Sequence, residues 1–121
     1  MNLGKWAIAG GLLLVSLPVA DAYAGASRQF SGVAAFYSTD YSGRTARGER
    51  YDPKKFTCAH RSLPLGTRLR VTDRGSQRSV VVVVNDRGPF TKGRVLDLSL
   101  AAARALGMTG RGLLKVTAIV E

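Results

Sequence analysis

The chain has 121 residues, 45% of them hydrophobic, with a single cysteine and a formal net charge of +10 at neutral pH. That length supports one domain with one modest core, and the lone Cys58 excludes an internal disulfide, so the fold must stand on packing alone. Thirteen of the eighteen basic residues are Arg, whose planar fork suits carboxylates and phosphates, and a basic domain of this kind calls for an acidic partner.

Met1 to Ala26 reads as an export leader. Lys5 supplies the positive charge, Trp6 to Val19 is an uncharged, mostly apolar run, and small residues follow. Cleavage is expected after Ala22, Ala24 or Ala26, which divides the chain into a leader over 1–24 and a domain over 25–121. The apolar run is too short for a membrane span, so no stable span is expected once the leader is removed. Losing Lys5 and Asp21 together leaves the charge at +10. Export to the periplasm or the medium argues against nucleic acid as the acidic partner and for an anionic wall polymer or membrane surface.

Gly25 to Gln29 is a short polar lead-in. Phe30 to Ser38, carrying Val33, Phe36 and Tyr37, predicts a first strand. Thr39 to Tyr51 is rich in Gly, Ser, Thr and Arg and predicts a surface loop of the length that often carries function. Asp52-Pro53 marks a turn, and Lys54 to His60 leads into a second strand on which Cys58 and His60 share a face. Leu63-Pro64-Leu65-Gly66 is a turn. Thr67 to Asp73 alternates, with Leu69 and Val71 on one face, and predicts a half-buried strand. Arg74-Gly75-Ser76 joins it as a hairpin to Val80–Val84, five consecutive β-branched residues that suit a strand covered on both faces. Asn85-Asp86-Arg87-Gly88-Pro89 ends that run. Arg94 to Leu98 predicts a short strand, Ser99 an N-cap for a helix over Leu100 to Leu106, and Gly107 its left-handed end. Leu113 to Val120 closes the chain as a strand with Val116, Ala118 and Val120 on one face. Five or six short strands and one helix predict a mainly β fold, a small closed barrel whose closure protects the strand edges.

The chemistry available to such a domain is narrow. Asp86 sits where a rigid strand meets a loop, a place where a carboxylate is held to a fixed geometry; an ordinary Asx turn explains the same residues. Glu49 lies in the Gly/Arg-rich loop. Two acids flanking a cleft is the arrangement that breaks glycosidic bonds, one protonating the leaving oxygen while the other stabilises positive charge or positions a nucleophile. His60, the sole histidine, is suited to holding a carboxylate by hydrogen bond or to moving a proton. Without a second ligand at close spacing it does not make a zinc site, so no metal is expected, and no cofactor motif appears. Cys58 beside His60 reads either as a thiol nucleophile or as a small buried hydrophobe.

Five stretches resemble, in order and spacing, the core domain of the rare lipoprotein A (RlpA) family. They are Gly32 to Tyr37, Thr45 to Asp52, Ala59 to Arg68, Val84 to Phe90 and Gly93 to Ser99. The resemblance implies a six-stranded double-psi β-barrel with one short α-helix, related to the first domain of expansins. It also implies endolytic peptidoglycan lytic transglycosylase activity, a lyase reaction on glycan strands that leaves a 1,6-anhydro-N-acetylmuramic acid end. On this resemblance Asp86, Glu49 and His60 are the catalytic residues, with Asp86 the general acid. Tyr37 is expected to stack on a sugar face, Arg87 to set the field around Asp86, and Arg61 and Asn85 to help bind substrate. Peptidoglycan glycan strands are then the partner, with no protein partner implied. Arg47 stands where the family commonly has Asn, and neither a lipid-accepting cysteine nor a C-terminal SPOR domain is seen. The alternative is an expansin-like module that binds or loosens wall glycan without cutting it. A basic scaffold within a division complex is the third reading.

Overall fold

The computed structural model describes residues 28–121; the expected leader lies outside them. Six strands and one helix follow in order: β1 (Gln29–Phe36), β2 (Thr57–Ala59), β3 (Arg68–Asp73), β4 (Ser79–Asp86), β5 (Arg94–Leu98), α1 (Leu100–Ala105) and β6 (Leu114–Val120). They close into a barrel in the order β1-β5-β2-β4-β3-β6. Two pairs, β1/β5 and β2/β4, are parallel and the other four are antiparallel. This is the double-psi β-barrel anticipated from the sequence.

The valine strand is the hub. In β4 the side chains of Val80, Val82 and Val84 are buried while Val81 and Val83 are half-covered. The strand is covered on both faces, unevenly: the barrel interior takes Val80, Val82 and Val84, and the outer face leaves Val81 and Val83 partly exposed. Paired beside it, β3 alternates as expected, with Leu69 and Val71 fully buried between Arg68, Arg70 and Thr72. Leu96, Leu98, Val116 and Ala118 complete the interior. Each fully buried Leu or Val side chain stabilises the fold by about 1.5–3 kcal/mol relative to exposure. Cys58 is one of these core residues, at 0% exposure, and burial pushes its thiol up to about 12. It is the small hydrophobe, not a nucleophile.

The second strand is shorter than the sequence suggested. Lys54 and Lys55 belong to an exposed turn, closed by the Lys55 N–H donating to Asp52 O at 3.2 Å, and Phe56 follows it, also exposed. Only Thr57–Ala59 pairs, so His60 falls one residue beyond β2. The helix forms for the reasons read from sequence. Ser99, fully buried, accepts at Oγ from the N–H groups of Ala102 (3.3 Å) and Thr57 (3.2 Å), so one hydroxyl caps α1 and ties it to the entry of β2. Gly107 adopts φ of 69° just after the helix, and a Cβ there would lie 2.8 Å from the Arg78 guanidinium. Gly32 has a different reason to be glycine: a Cβ would come within 2.5 Å of Val95 on the neighbouring strand.

Candidate active site

Strand β4 delivers Asp86 at its last position, half-buried, and three donors converge on the carboxylate. The Tyr37 hydroxyl donates to Oδ2 at 2.6 Å. The backbone N–H groups of Ala46 and Arg87 donate to Oδ1 at 2.8 and 2.9 Å. The Arg87 contact is the local Asx-type turn allowed by the sequence; the other two come from residues 40 and 49 positions away. A turn residue needs neither of these distant donors.

Tyr37 is itself held from behind. Its ring stacks on Tyr51 with centroids 4.4 Å apart and planes at 14°, and the Tyr51 hydroxyl accepts the first N–H of α1, from Leu100, at 3.0 Å. Burial first, then the hydrogen bond to Asp86 and its charge, raises the Tyr37 phenol far above its ordinary range. It remains a proton donor at any working pH. Tyr51 thus covers one face of the Tyr37 ring, and the Tyr37 hydroxyl is held by Asp86. Tyr41, tilted against both tyrosines and 39% exposed, presents the free aromatic surface of this cluster.

The loop between β1 and β2 is better organised than its composition suggested. Arg44 and Arg50 form an isolated antiparallel bridge, and the Thr45 N–H donates to Glu49 O at 2.8 Å, closing a tight turn. Thr45 and Tyr51 are buried within it. The turn is fastened to the end of β4 three times: Ala46 N–H to Asp86, Arg47 N–H to Asn85 O at 3.2 Å, and Asn85 Nδ2 to Glu49 Oε1 at 3.3 Å. Glu49 is exposed and Asn85 is buried. Asn85 thus positions Glu49 from below. Both acids picked out from the sequence stand at the same turn, on the same lip of the barrel.

His60 is joined to Asp86 by backbone, not by side chain. Its N–H donates to Asp86 O at 3.1 Å. The imidazole Nδ1 accepts from the N–H groups of Ser62 (3.1 Å) and Leu63 (3.0 Å), which assigns the ring proton to Nε2. Among the described residues no carboxylate accepts from Nε2–H, which is left free as a donor while the following turn occupies Nδ1. Burial, then the positive charges of Arg87 and Arg61, lowers its pKa below the usual imidazole value, so the ring is neutral at pH 7. Its side chain lies tilted against Phe30, centroids 5.1 Å apart, at the wall of an open cleft of ≈ 280 Å³ shared with Arg61, Ser62 and Val95.

The two arginines near the site are also spoken for. Arg87 sends its guanidinium to the carbonyls of Leu63 (2.6 Å) and His60 (3.2 Å), not to Asp86. No ion pair joins Arg87 to Asp86 among the described residues; its guanidinium instead braces the 60–63 turn. Arg61 reaches the carbonyls of Pro89 (2.8 Å) and Arg94 (2.7 Å) and lines the cleft with its remaining surface. No group of three or more His, Cys, Asp or Glu placed to hold a metal occurs among the described residues.

Sequence reasoning missed Ala46, Tyr51, Phe30 and Val95. Ala46 acts through its backbone and leaves no sequence signal. Tyr51, an aromatic residue in an otherwise polar loop, was the available clue.

A family model described as lytic transglycolase matches residues 29–118. The chain belongs to that family. Among its relatives in the lytic transglycolase family, a protein of Nostoc sp. named "Probable endolytic peptidoglycan transglycosylase RlpA" is 59% identical over 90 residues, covering 72% of this chain and 24% of that protein. One of the same name from Synechocystis sp. is 46% identical over 116 residues, covering 88% and 36%. The Pasteurella multocida "Endolytic peptidoglycan transglycosylase RlpA" is 49% identical over 83 residues, covering 68% and 28%. The chain thus spans about a quarter to a third of the length of these relatives. Among solved structures, a Clavibacter michiganensis expansin superposes with a TM-score of 0.59 at 27% identity, over 77% of this chain and 50% of that one. A mutant of that expansin in complex with cellohexaose gives 0.61 at 25% identity, over the same shares. The Streptomyces papain inhibitor, with a TM-score of 0.63 at 23% identity over 78% of this chain and 94% of that one, shares the fold.

Proposed function

We propose that this domain is an endolytic peptidoglycan lytic transglycosylase that cuts the β-1,4 bond between N-acetylmuramic acid and N-acetylglucosamine. The observation that carries the reading is the convergence on Asp86 of three donors drawn from two loops, with Glu49 presented by the same turn. In the reaction Asp86 acts as the general acid, giving a proton to the glycosidic oxygen as the C1–O bond breaks. Tyr37 and the two N–H groups then stabilise the carboxylate left behind, a stabilisation that grows as charge develops. The muramyl 6-hydroxyl closes onto C1, forming the 1,6-anhydro ring, and its proton passes to Glu49. No water is consumed. His60, neutral and with Nε2–H free of any partner among the described residues, donates to a sugar oxygen lying in the cleft with Phe30 and Arg61.

The names of the curated relatives support both the bond and the polymer. They also support a setting outside the cytoplasm, periplasmic or secreted, where the glycan is found. No helix among the described residues is long and apolar enough to cross a membrane. The likeness to an expansin bound to cellohexaose supports a second reading, glycan binding without cleavage. Incubation of the purified domain with glycan strands stripped of stem peptides, followed by mass spectrometry, separates the two. Anhydromuramyl ends that vanish in Asp86→Asn support the enzyme, and retention of strands with no product supports the binding module.

A further inference from the structure

Away from this site, the hairpin joining β3 to β4 meets the loop joining α1 to β6 in a second open cleft of ≈ 490 Å³, with Arg74, Arg111, Leu113 and Lys115 among its walls. It shares no residue with the candidate active site. The hairpin enters β4 at Ser79, and Asp86 leaves it at the other end, about 23 Å along the strand at about 3.3 Å per residue. The two segments are locked together. The Arg74 N–H donates to Lys115 O at 3.0 Å, and Arg111 reaches Asp73 Oδ2 at 3.3 Å.

Asp73 is the only carboxylate lining this cleft, and it is consumed internally. It is 1% exposed, with Oδ1 taken by the Gly75 N–H at 2.9 Å and Oδ2 by the Ser76 hydroxyl at 2.7 Å as well as by Arg111. Arg74 and Lys115 form no ion pair among the described residues. Arg111 keeps 53% of its side chain in solvent. Three cations from two segments thus face one opening with no free anion between them. A ligand that supplies negative charge in several directions at once would meet all three. A carboxylate offers two oxygens in one plane, whereas a phosphate offers them in three dimensions and matches both the arginine fork and a lysine point charge.

We propose that this cleft is a phosphate-binding site, recognising a phosphate ester of a soluble molecule or of a lipid headgroup. The test is a ¹⁵N-¹H titration of the purified protein with inorganic phosphate, beside sodium acetate at matched ionic strength. Saturable shifts at Gly75 and Arg111 to Lys115 with phosphate, weakened about tenfold in Arg74→Ala/Lys115→Ala, are expected; that variant keeps its melting temperature and its glycan cleavage. Equal response to acetate, shifts spread over the whole basic surface, or an unaffected double variant overturns the proposal. Co-sedimentation with phosphatidylglycerol vesicles, compared with phosphatidylcholine, then identifies the source. Binding weakened by Leu113→Ser, whose parent side chain is 55% exposed, assigns a lipid headgroup, and phosphate binding without vesicle binding assigns a soluble ester.

Discussion

Replacing Tyr37 by Phe removes one oxygen and nothing else of the site's framework. The ring keeps its stack on Tyr51 at 4.4 Å, while Asp86 loses the 2.6 Å donor at Oδ2 and keeps the two N–H groups at Oδ1. A hydrogen bond to a charged group contributes about 1.5–3 kcal/mol. If that bond is at full strength only once the proton has left Asp86, its loss raises the barrier by the same amount, a fall in kcat of about 10- to 150-fold. KM for glycan strands should barely move, since Tyr37 is argued to act through Asp86 and not on the sugar. The assay is release of anhydromuramyl ends over time, with melting temperature recorded alongside. Tyr51→Phe is the control: it strands the buried Leu100 N–H, which costs about 1–3 kcal/mol of stability, yet leaves the Tyr37–Asp86 contact in place. Full activity in Tyr37→Phe, or an equal loss of rate in both variants, would refute the proposal that Tyr37 supports Asp86 as the general acid.

Other outcomes follow from single contacts. Ser99→Ala removes the acceptor for two N–H groups in a fully buried place and should lower unfolding free energy by about 2 kcal/mol, measured by urea titration. Cys58, with its thiol pushed up to about 12, should resist thiol reagents at pH 8 in the native state and react at once in denaturant; labelling of the folded protein would show that the barrel opens there. Asp73 titrates at about 2, chiefly because of the Ser76 and Gly75 hydrogen bonds, against about 3.9 in an unfolded chain. The stability it contributes is complete above the unfolded value and is lost as pH falls toward about 2. Wild-type melting temperature should therefore drop through that window more steeply than that of Asp73→Asn, and parallel curves would contradict the claim. NMR titration of His60 should give a midpoint below 6.5, with the proton on Nε2 above it; a raised midpoint would mean that a carboxylate faces the ring after all.

Local signals in the sequence were read well because local physics decides them. The alternation through Leu69 and Val71, the Ser99 cap and Gly107 are each set by a few adjacent residues, and each stands where it was expected. Asp86 was legible because a run of five valines fixes the strand that ends in it. The strand order was not, since parallel pairing of β1 with β5 and of β2 with β4 joins residues far apart in the chain. The turn at 45–49 was hidden for a related reason: its composition reads as loop, and what shapes it is contact with Asn85 and Asp86 some forty residues later. The hydrogen bonds of Arg87 were not legible either, since its guanidinium reaches the carbonyls of His60 and Leu63, 27 and 24 positions back in the chain. At His60 the local turn decides which nitrogen is free: Nδ1 accepts from Ser62 and Leu63, and Nε2 keeps the proton.

Mass spectrometry of naked glycan strands after incubation with the purified protein tests the central claim most directly. The arrangement around Asp86 predicts 1,6-anhydromuramyl ends from the wild type and none from Asp86→Asn folded to the same melting temperature. Products undiminished in that variant, or strands left whole by the wild type, would contradict it.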